Sequence, residues 1–188
     1  MKRSACICRL LCLCALTLTG CSSVQSILPA TSWHQNRVRN EGYSLLYKLL
    51  SQESDVAKIL IIKDTDPPVT AIIKEIANAC GQAQKQLEAF SKANHRLNLK
   101  MTDLPKVEQQ TRDAIASTEA KQLLFSTGKT FQSRLLFTQG EAMNYAAHLA
   151  KVLEDQENDP QRKKFLAHLS EECSGLHDRV ITLLNGMG

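Results

Sequence analysis

The chain has 188 residues, 43% hydrophobic and 5% aromatic, with 23 Lys+Arg against 19 Asp+Glu and a formal charge of +4. That length suits one domain with a real core, and the near balance of charge, with no basic stripe interleaved with aromatics, excludes nucleic acid as a partner. Neither a Gly-x-Ser-x-Gly elbow nor a Gly-rich phosphate loop after a strand is present, so hydrolysis and nucleotide binding have no motif to rest on.

The first element is a leader. Lys2, Arg3 and Arg9 supply its charge, and Leu10 to Leu18 supply an apolar run too short to cross about 30 Å of hydrocarbon. It closes on Leu18-Thr19-Gly20-Cys21, which resembles the lipobox of bacterial lipoproteins. The resemblance implies cleavage before Cys21, a diacylglyceryl thioether on its sulfur and an acylated amine, palmitate being the usual chain. At about 0.8 kcal/mol per buried CH2, two or three chains anchor firmly. Ser22 and Ser23 follow, with no Asp after the cysteine. In a Gram-negative host this resembles the sorting rule for the outer membrane, with the domain facing the periplasm. The expected organisation is a signal peptide over 1–20, a lipidated flexible tether over 21–40 and a helical domain over 41–185.

Cleavage changes what composition says. Lys2, Arg3 and Arg9 leave with the leader, so 20 basic residues face 19 acidic ones. Cys6, Cys8, Cys12 and Cys14 leave as well, and Cys21 carries lipid. Cys80 and Cys173 remain, either paired in an oxidising compartment or buried as small hydrophobes.

From about residue 41 the pattern is helical throughout. A first helix is expected over about 41–63, with Leu46, Leu49, Val56 and Leu60 on one face. Asp66-Pro67-Pro68 then predicts an N-cap followed by proline in the first turn. The second helix, about 67–99, carries Val69, Ile73, Ile76, Cys80, Ala83, Leu87 and Phe90 in alternating three- and four-residue steps, a continuous seam. Leu104-Pro105 breaks it. A shorter helix over about 106–125 carries Val107, Ile115, Leu123 and Leu124, and Ser126-Thr127-Gly128 ends it. A long helix over about 129–157 presents Phe131, Leu135, Ala142, Tyr145, Leu149 and Val152. After Asn158-Asp159-Pro160, the last helix, about 160–184, presents Phe165, Leu169, Cys173, Leu176, Val180 and Leu183 before Asn185-Gly186. The charge runs Glu154-Asp155-Gln156-Glu157 and Gln161-Arg162-Lys163-Lys164 read as a solvated helix–turn–helix. Four long amphipathic helices with short connections predict an all-α fold, an antiparallel four-helix bundle with one additional short helix.

The punctuation, Asp66-Pro67-Pro68-Val69, Leu104-Pro105 with Glu108, Gly128-Lys129-Thr130-Phe131 and Asn158-Asp159-Pro160, resembles a ferritin-like family of exported bacterial proteins of unknown function over about residues 41–184. The resemblance implies a histidine on each of the second, third and fourth long helices and an acid on the first. Counted from these motifs, the positions fall on Cys80, Met143, Leu176 beside His177, and Glu53. At least two of the histidines are replaced. A di-iron bundle uses Glu-x-x-His pairs; none exists here, since Thr31, Lys92, Tyr145, Phe165 and Ser174 stand three before His34, His95, His148, His168 and His177. Thiolate, thioether and imidazole at Cys80, Met143 and His177 suit a soft metal such as Cu(I), or are plain core. Glu53 is a vestigial ligand, an acid paired inside with Lys or Arg, or a stripe-edge residue reaching water.

The expected function is therefore non-enzymatic: a lipid-anchored binding or structural module of the cell envelope, without cofactor or catalytic residue. Its partners would be the membrane through Cys21 and an envelope protein or ligand. The alternatives are a metal-handling bundle and a thiol redox sensor acting through Cys80 and Cys173.

Overall fold

A computed structural model describes residues 30–101 and 104–187; the leader, Cys21 and the tether up to residue 29 lie outside the described residues. The described chain is all-helical, with helices α1 (Ala30–Glu53), α2 (Pro67–Ala93), α3 (Lys106–Phe125), α4 (Gly128–Gln156) and α5 (Pro160–Asn185) and a 3-10 helix over Val56–Ile61.

The first helix departs from expectation at both ends. It begins at Ala30, so the stretch 30–40, expected to be flexible tether, is helix. Residues 36–38 bury nothing, and local pairing supports them instead: Arg37 donates to Glu41 at 2.9 Å and Arg39 to Asn36 at 2.7 Å. Hydrophobic periodicity senses burial, so an exposed helix end is invisible to it. The expected single helix to residue 63 instead stops at Glu53, where the Ser54 hydroxyl donates to the Ser51 carbonyl. The chain then tightens into the 3-10 turn, half-burying Val56, Ala57, Ile59 and Leu60 against the core.

Helix α2 carries the expected seam, with Val69, Ile73, Ile76, Cys80, Ala83 and Leu87 all buried, but ends at Ala93 instead of near 99. Leu97 turns back into the core, and Ser91 and Ser44 close the loop by donating to the carbonyls of Leu97 and Asn98. The Asp66 side chain makes no cap; its backbone N–H is held by Gln132 Oε1 at 2.9 Å. Gly128, at φ +54°, takes the left-handed conformation that turns α3 into α4.

Neighbouring helices run antiparallel, as paired contacts show. Tyr47 donates to Glu88 and Gln84 to Ser51 between α1 and α2. Phe90 meets Phe165, and Arg179 donates to Glu75, between α2 and α5. Ser170 donates to the Ala147 carbonyl, and His177 pairs with the Gly140 carbonyl, between α5 and α4. Tyr43 reaches Glu157 from α1 to the end of α4. Gly42 lets α1 approach α4 closely, for a Cβ there would lie 2.7 Å from Leu153 Cδ2.

Two apolar stripes are corrected. On α4 the buried face is Phe131, Gln132, Leu135, Leu136, Gln139, Gly140, Met143, Ala146, Ala147, Ala150 and Leu153, while Tyr145 and Val152 are exposed. Small and amide residues form much of that face, and apolar counting passes over them. Helix α3 fully buries no residue; of its expected stripe Leu123 is half-buried against the core, while Val107, Ile115 and Leu124 face solvent.

Most of the charged α4–α5 turn is solvated as expected, with Asp155, Gln156, Gln161, Lys163 and Lys164 exposed, but two of its residues are not. Glu157 and Arg162 are buried, and the carboxylate accepts Arg162 Nε and Nη2, each at 2.9 Å, and the Tyr43 hydroxyl at 2.6 Å. The backbone N–H groups of Asn158 and Asp159 add bonds at 2.8 and 2.9 Å, and Arg39 lies 3.7 Å away. Asp159 caps α5 as expected, accepting from the N–H groups of Gln161 and Arg162. Asp159→Ala is expected to cost about 1 kcal/mol, read as the loss in urea unfolding free energy. A cost near zero would mean that solvent satisfies those donors equally well.

Candidate functional site

Of the residues that the sequence singles out, Cys80 and Met143 are buried in the helical core, Glu53 and His177 are half-buried, and Cys21 lies outside the described residues. The register set by Phe90 against Phe165 and Glu75 against Arg179 brings Cys80 of α2 opposite Cys173 of α5. Each thiol is 1% exposed, and both are free. Burial, reinforced by Cys173, Glu53 and Glu172, pushes the Cys80 thiol far up. Burial and Glu172 push Cys173 up to about 12. Thiolate is the nucleophile and the metal ligand, and burial holds both sulfurs in the thiol form at neutral pH, where they fill space in the core.

Met143 is fully buried on α4 and serves as packing. The His177 Nδ1 lies 2.9 Å from the Gly140 carbonyl. A carbonyl only accepts, so Nδ1 carries the proton and the ring locks α5 onto α4. Among the described residues, no three His, Cys, Asp or Glu side chains are placed together to hold a metal. Cys80, Met143, His177 and Glu53 therefore do not converge as one ligand set.

Glu53 is the exception to plain packing. It stands in the last turn of α1, half-buried, where the negative end of the helix dipole disfavours a carboxylate. Its pKa is raised, chiefly by burial and further by the Glu119 carboxylate of α3; a hydrogen bond from Gln139 of α4 opposes the shift. Of the three expectations, vestigial ligand, inside pair with Lys or Arg, or stripe-edge residue reaching water, the last is in keeping with the partial exposure that Glu53 retains. Gln139 is itself 5% exposed, and its Oε1 has no hydrogen-bond partner.

Sequence reasoning missed Gln139 and Glu119. A glutamine among Leu135, Gly140 and Met143 carries no motif, and Glu119 sits on an otherwise exposed helix. The one signal available was a polar residue at a core spacing of α4.

The surface has two grooves beside α3. One, of about 380 Å³, lies between its C-terminal part and α4, lined by Glu119, Leu123, Arg134, Phe137 and Thr138, with Leu184 of α5. The other, of about 190 Å³, separates Gln109, Arg112 and Ala116 from Leu45 and Leu49 of α1. Arg112 lies 5.7 Å over the Tyr145 ring, and Lys63 donates to the Leu124 and Ser126 carbonyls at the far end of α3. Helix α3 is thus held along its edges.

Comparison of the chain with protein-family models, with curated proteins and with solved structures finds no match.

Proposed function

We propose that this protein is a lipid-anchored, non-enzymatic helical module of the bacterial cell envelope. The observation that carries the reading is the leader that ends in Leu18-Thr19-Gly20-Cys21, a charged start and a short apolar run closing on a cysteine. Helix α1 begins nine residues after Cys21, so a lipid there would tether the folded part closely. The protonated thiols and the packed interior favour a binding or structural role over catalysis.

The arrangement of the helices is in keeping with an antiparallel four-helix bundle of ferritin-like kind. Helices α1, α2, α5 and α4 contact one another in a ring, each antiparallel to its neighbours. The passage through α3 leaves α2 and α4 parallel, the connection that a ferritin-like bundle makes with its long crossover. Outer-membrane sorting, with the domain facing the periplasm, is part of the same proposal, as is an envelope protein as partner.

Cys21→Ser in the full chain tests the anchor. The native protein is expected to incorporate labelled palmitate and stay with membranes through a high-salt wash, while the variant does neither. A native chain that carries no acyl mass, or a variant that stays membrane-bound after salt, overturns the proposal.

A further inference from the structure

Charge is not spread evenly over the body of the protein. Lys92, Arg96, Lys100, Lys163 and Lys164 all lie exposed where α2 ends and α5 begins. The contact of Phe90 with Phe165, ring centroids 5.5 Å apart, fixes the antiparallel register there and sets Lys92 opposite Lys163. Asn40 of α1 donates to the Arg96 carbonyl at 2.9 Å, so the loop after α2 closes over the same end. Lys92, His95 and Lys100 line a groove of about 370 Å³ whose one acid, Glu88, accepts the Tyr47 hydroxyl. Among the described residues none of these lysines, nor Arg96, makes an ion pair, whereas the acids around them are committed. Glu41 pairs with Arg37, Glu154 and Asp155 with Lys151, and Glu157 and Asp159 with Arg162. Beyond the leader 20 basic residues face 19 acidic ones, so a positive end is a separation of charge and not an overall excess.

We propose that this end of the protein is a docking surface for an anionic lipid bilayer, held through the phosphate groups of its headgroups. Like charges gathered without counter-charges repel one another, and a negative plane turns that repulsion into attachment. Ammonium and guanidinium groups are the donors that phosphate oxygens take. Cations spread over two helix ends and a loop match an extended charged surface better than a single small anion. Each Lys or Arg close to anionic headgroups strengthens attachment about fivefold. The route of the chain points the same way. Helix α1 enters the body at this end, so its residues 30–39 lead from the cluster toward everything upstream. The large exposed apolar side chains Ile61, Ile62 and Phe125 lie at the opposite end, where Lys63 joins their two segments. Charge, and not inserted hydrophobes, therefore meets the lipid. The inference rests on the anchored-module reading for the presence of a bilayer, and deepens it by assigning the face that the bilayer contacts.

The test uses the full chain carrying Cys21→Ser, so that no acyl chain contributes. It is sedimented with vesicles of phosphatidylcholine alone, or of phosphatidylcholine with about one third phosphatidylglycerol. The basic leader is common to every variant and cancels when variants are compared. The parent is expected to bind the anionic vesicles about tenfold or more tightly than the neutral ones, with the preference falling as salt is raised. Lys92→Ala, Lys163→Ala and Lys164→Ala together, at exposed positions without an ion-pair partner, are expected to weaken binding to anionic vesicles by about tenfold or more. The same three lysines changed to arginine keep the charge and are expected to bind as the parent does. Equal binding to both vesicles, or a preference unchanged by the alanines, overturns the proposal. So does a preference lost with Ile61→Ser and Phe125→Ser, which would put the opposite end on the lipid. Displacement by millimolar inorganic phosphate, the mark of a pocket for one anion, would overturn it as well. Failure of the anchor reads out separately, as missing acyl mass on the native chain.

Discussion

Glu157→Ala is expected to destabilise the protein by about 3–5 kcal/mol, because it leaves the buried Arg162 with only the half-exposed Asp159, 3.6 Å from its Nη1, as counter-charge. The Tyr43 hydroxyl loses its acceptor as well, and so do two backbone N–H groups of the turn. Burial raises the Glu157 pKa, yet the bonds from Arg162, Asp159 and Tyr43 outweigh it and hold the carboxyl at about 2, against an ordinary value of 4.5. Since the folded value lies below the unfolded one, the stabilisation is complete above pH 4.5 and is lost as pH falls from there toward 2. Urea unfolding followed by circular dichroism across that window is expected to show the native chain losing stability steadily. Glu157→Gln, already destabilised at neutral pH, is expected to show a shallower slope. A loss of less than about 1 kcal/mol for Glu157→Ala would place this cluster with exposed ion pairs such as Glu75–Arg179.

The second large effect separates two phenylalanines six positions apart. Phe131, 1% exposed in the first turn of α4 and capped by Lys63 Nζ at 5.7 Å from its ring, is expected to cost about 3–5 kcal/mol when replaced by alanine. Phe125, 85% exposed at the end of α3, is expected to cost no more than about 0.5 kcal/mol. The measurement is the shift in thermal midpoint of the two variants in the same buffer. A large loss at Phe125 would mean that α3 packs far more tightly than its exposure indicates. Exposed Ile61 and Ile62, next to the Lys63 that bonds the α3–α4 turn, should then behave alike.

Helices α2 and α5 are readable from residue order because their buried faces, Arg162 apart, are apolar at three- and four-residue spacing. Helix α4 is readable as a helix, with Phe131 and Leu135 buried as expected, but the rest of its buried face is not. Gln132, Gln139, Gly140 and several alanines occupy buried positions that neither bulk nor hydropathy marks. Within the α4–α5 turn two residues escaped for a related reason. Glu157 and Arg162 look solvated in a charge run, yet each other, the backbone N–H groups of the turn and Tyr43, 114 residues away in sequence, make their burial tolerable. At the candidate site Glu53 stood out as an acid against an apolar stripe. The groups that influence its charge, Gln139 and Glu119, come from α4 and α3, and no local pattern links residues so far apart.

The early start of α1 has a mechanical consequence. Asn40 bonds the Arg96 carbonyl in the α2–α3 loop and Tyr43 bonds Glu157 in the α4–α5 turn, so the residues before Asn40 extend past that end of the fold. Ten residues at 1.5 Å each make a rod of about 15 Å. A coil of the same length would span a similar average distance but would fold back freely. A rod transmits torque and sets a height. Whatever holds the chain upstream of Ala30 therefore governs how far the body of the protein stands away, and which side it turns outward.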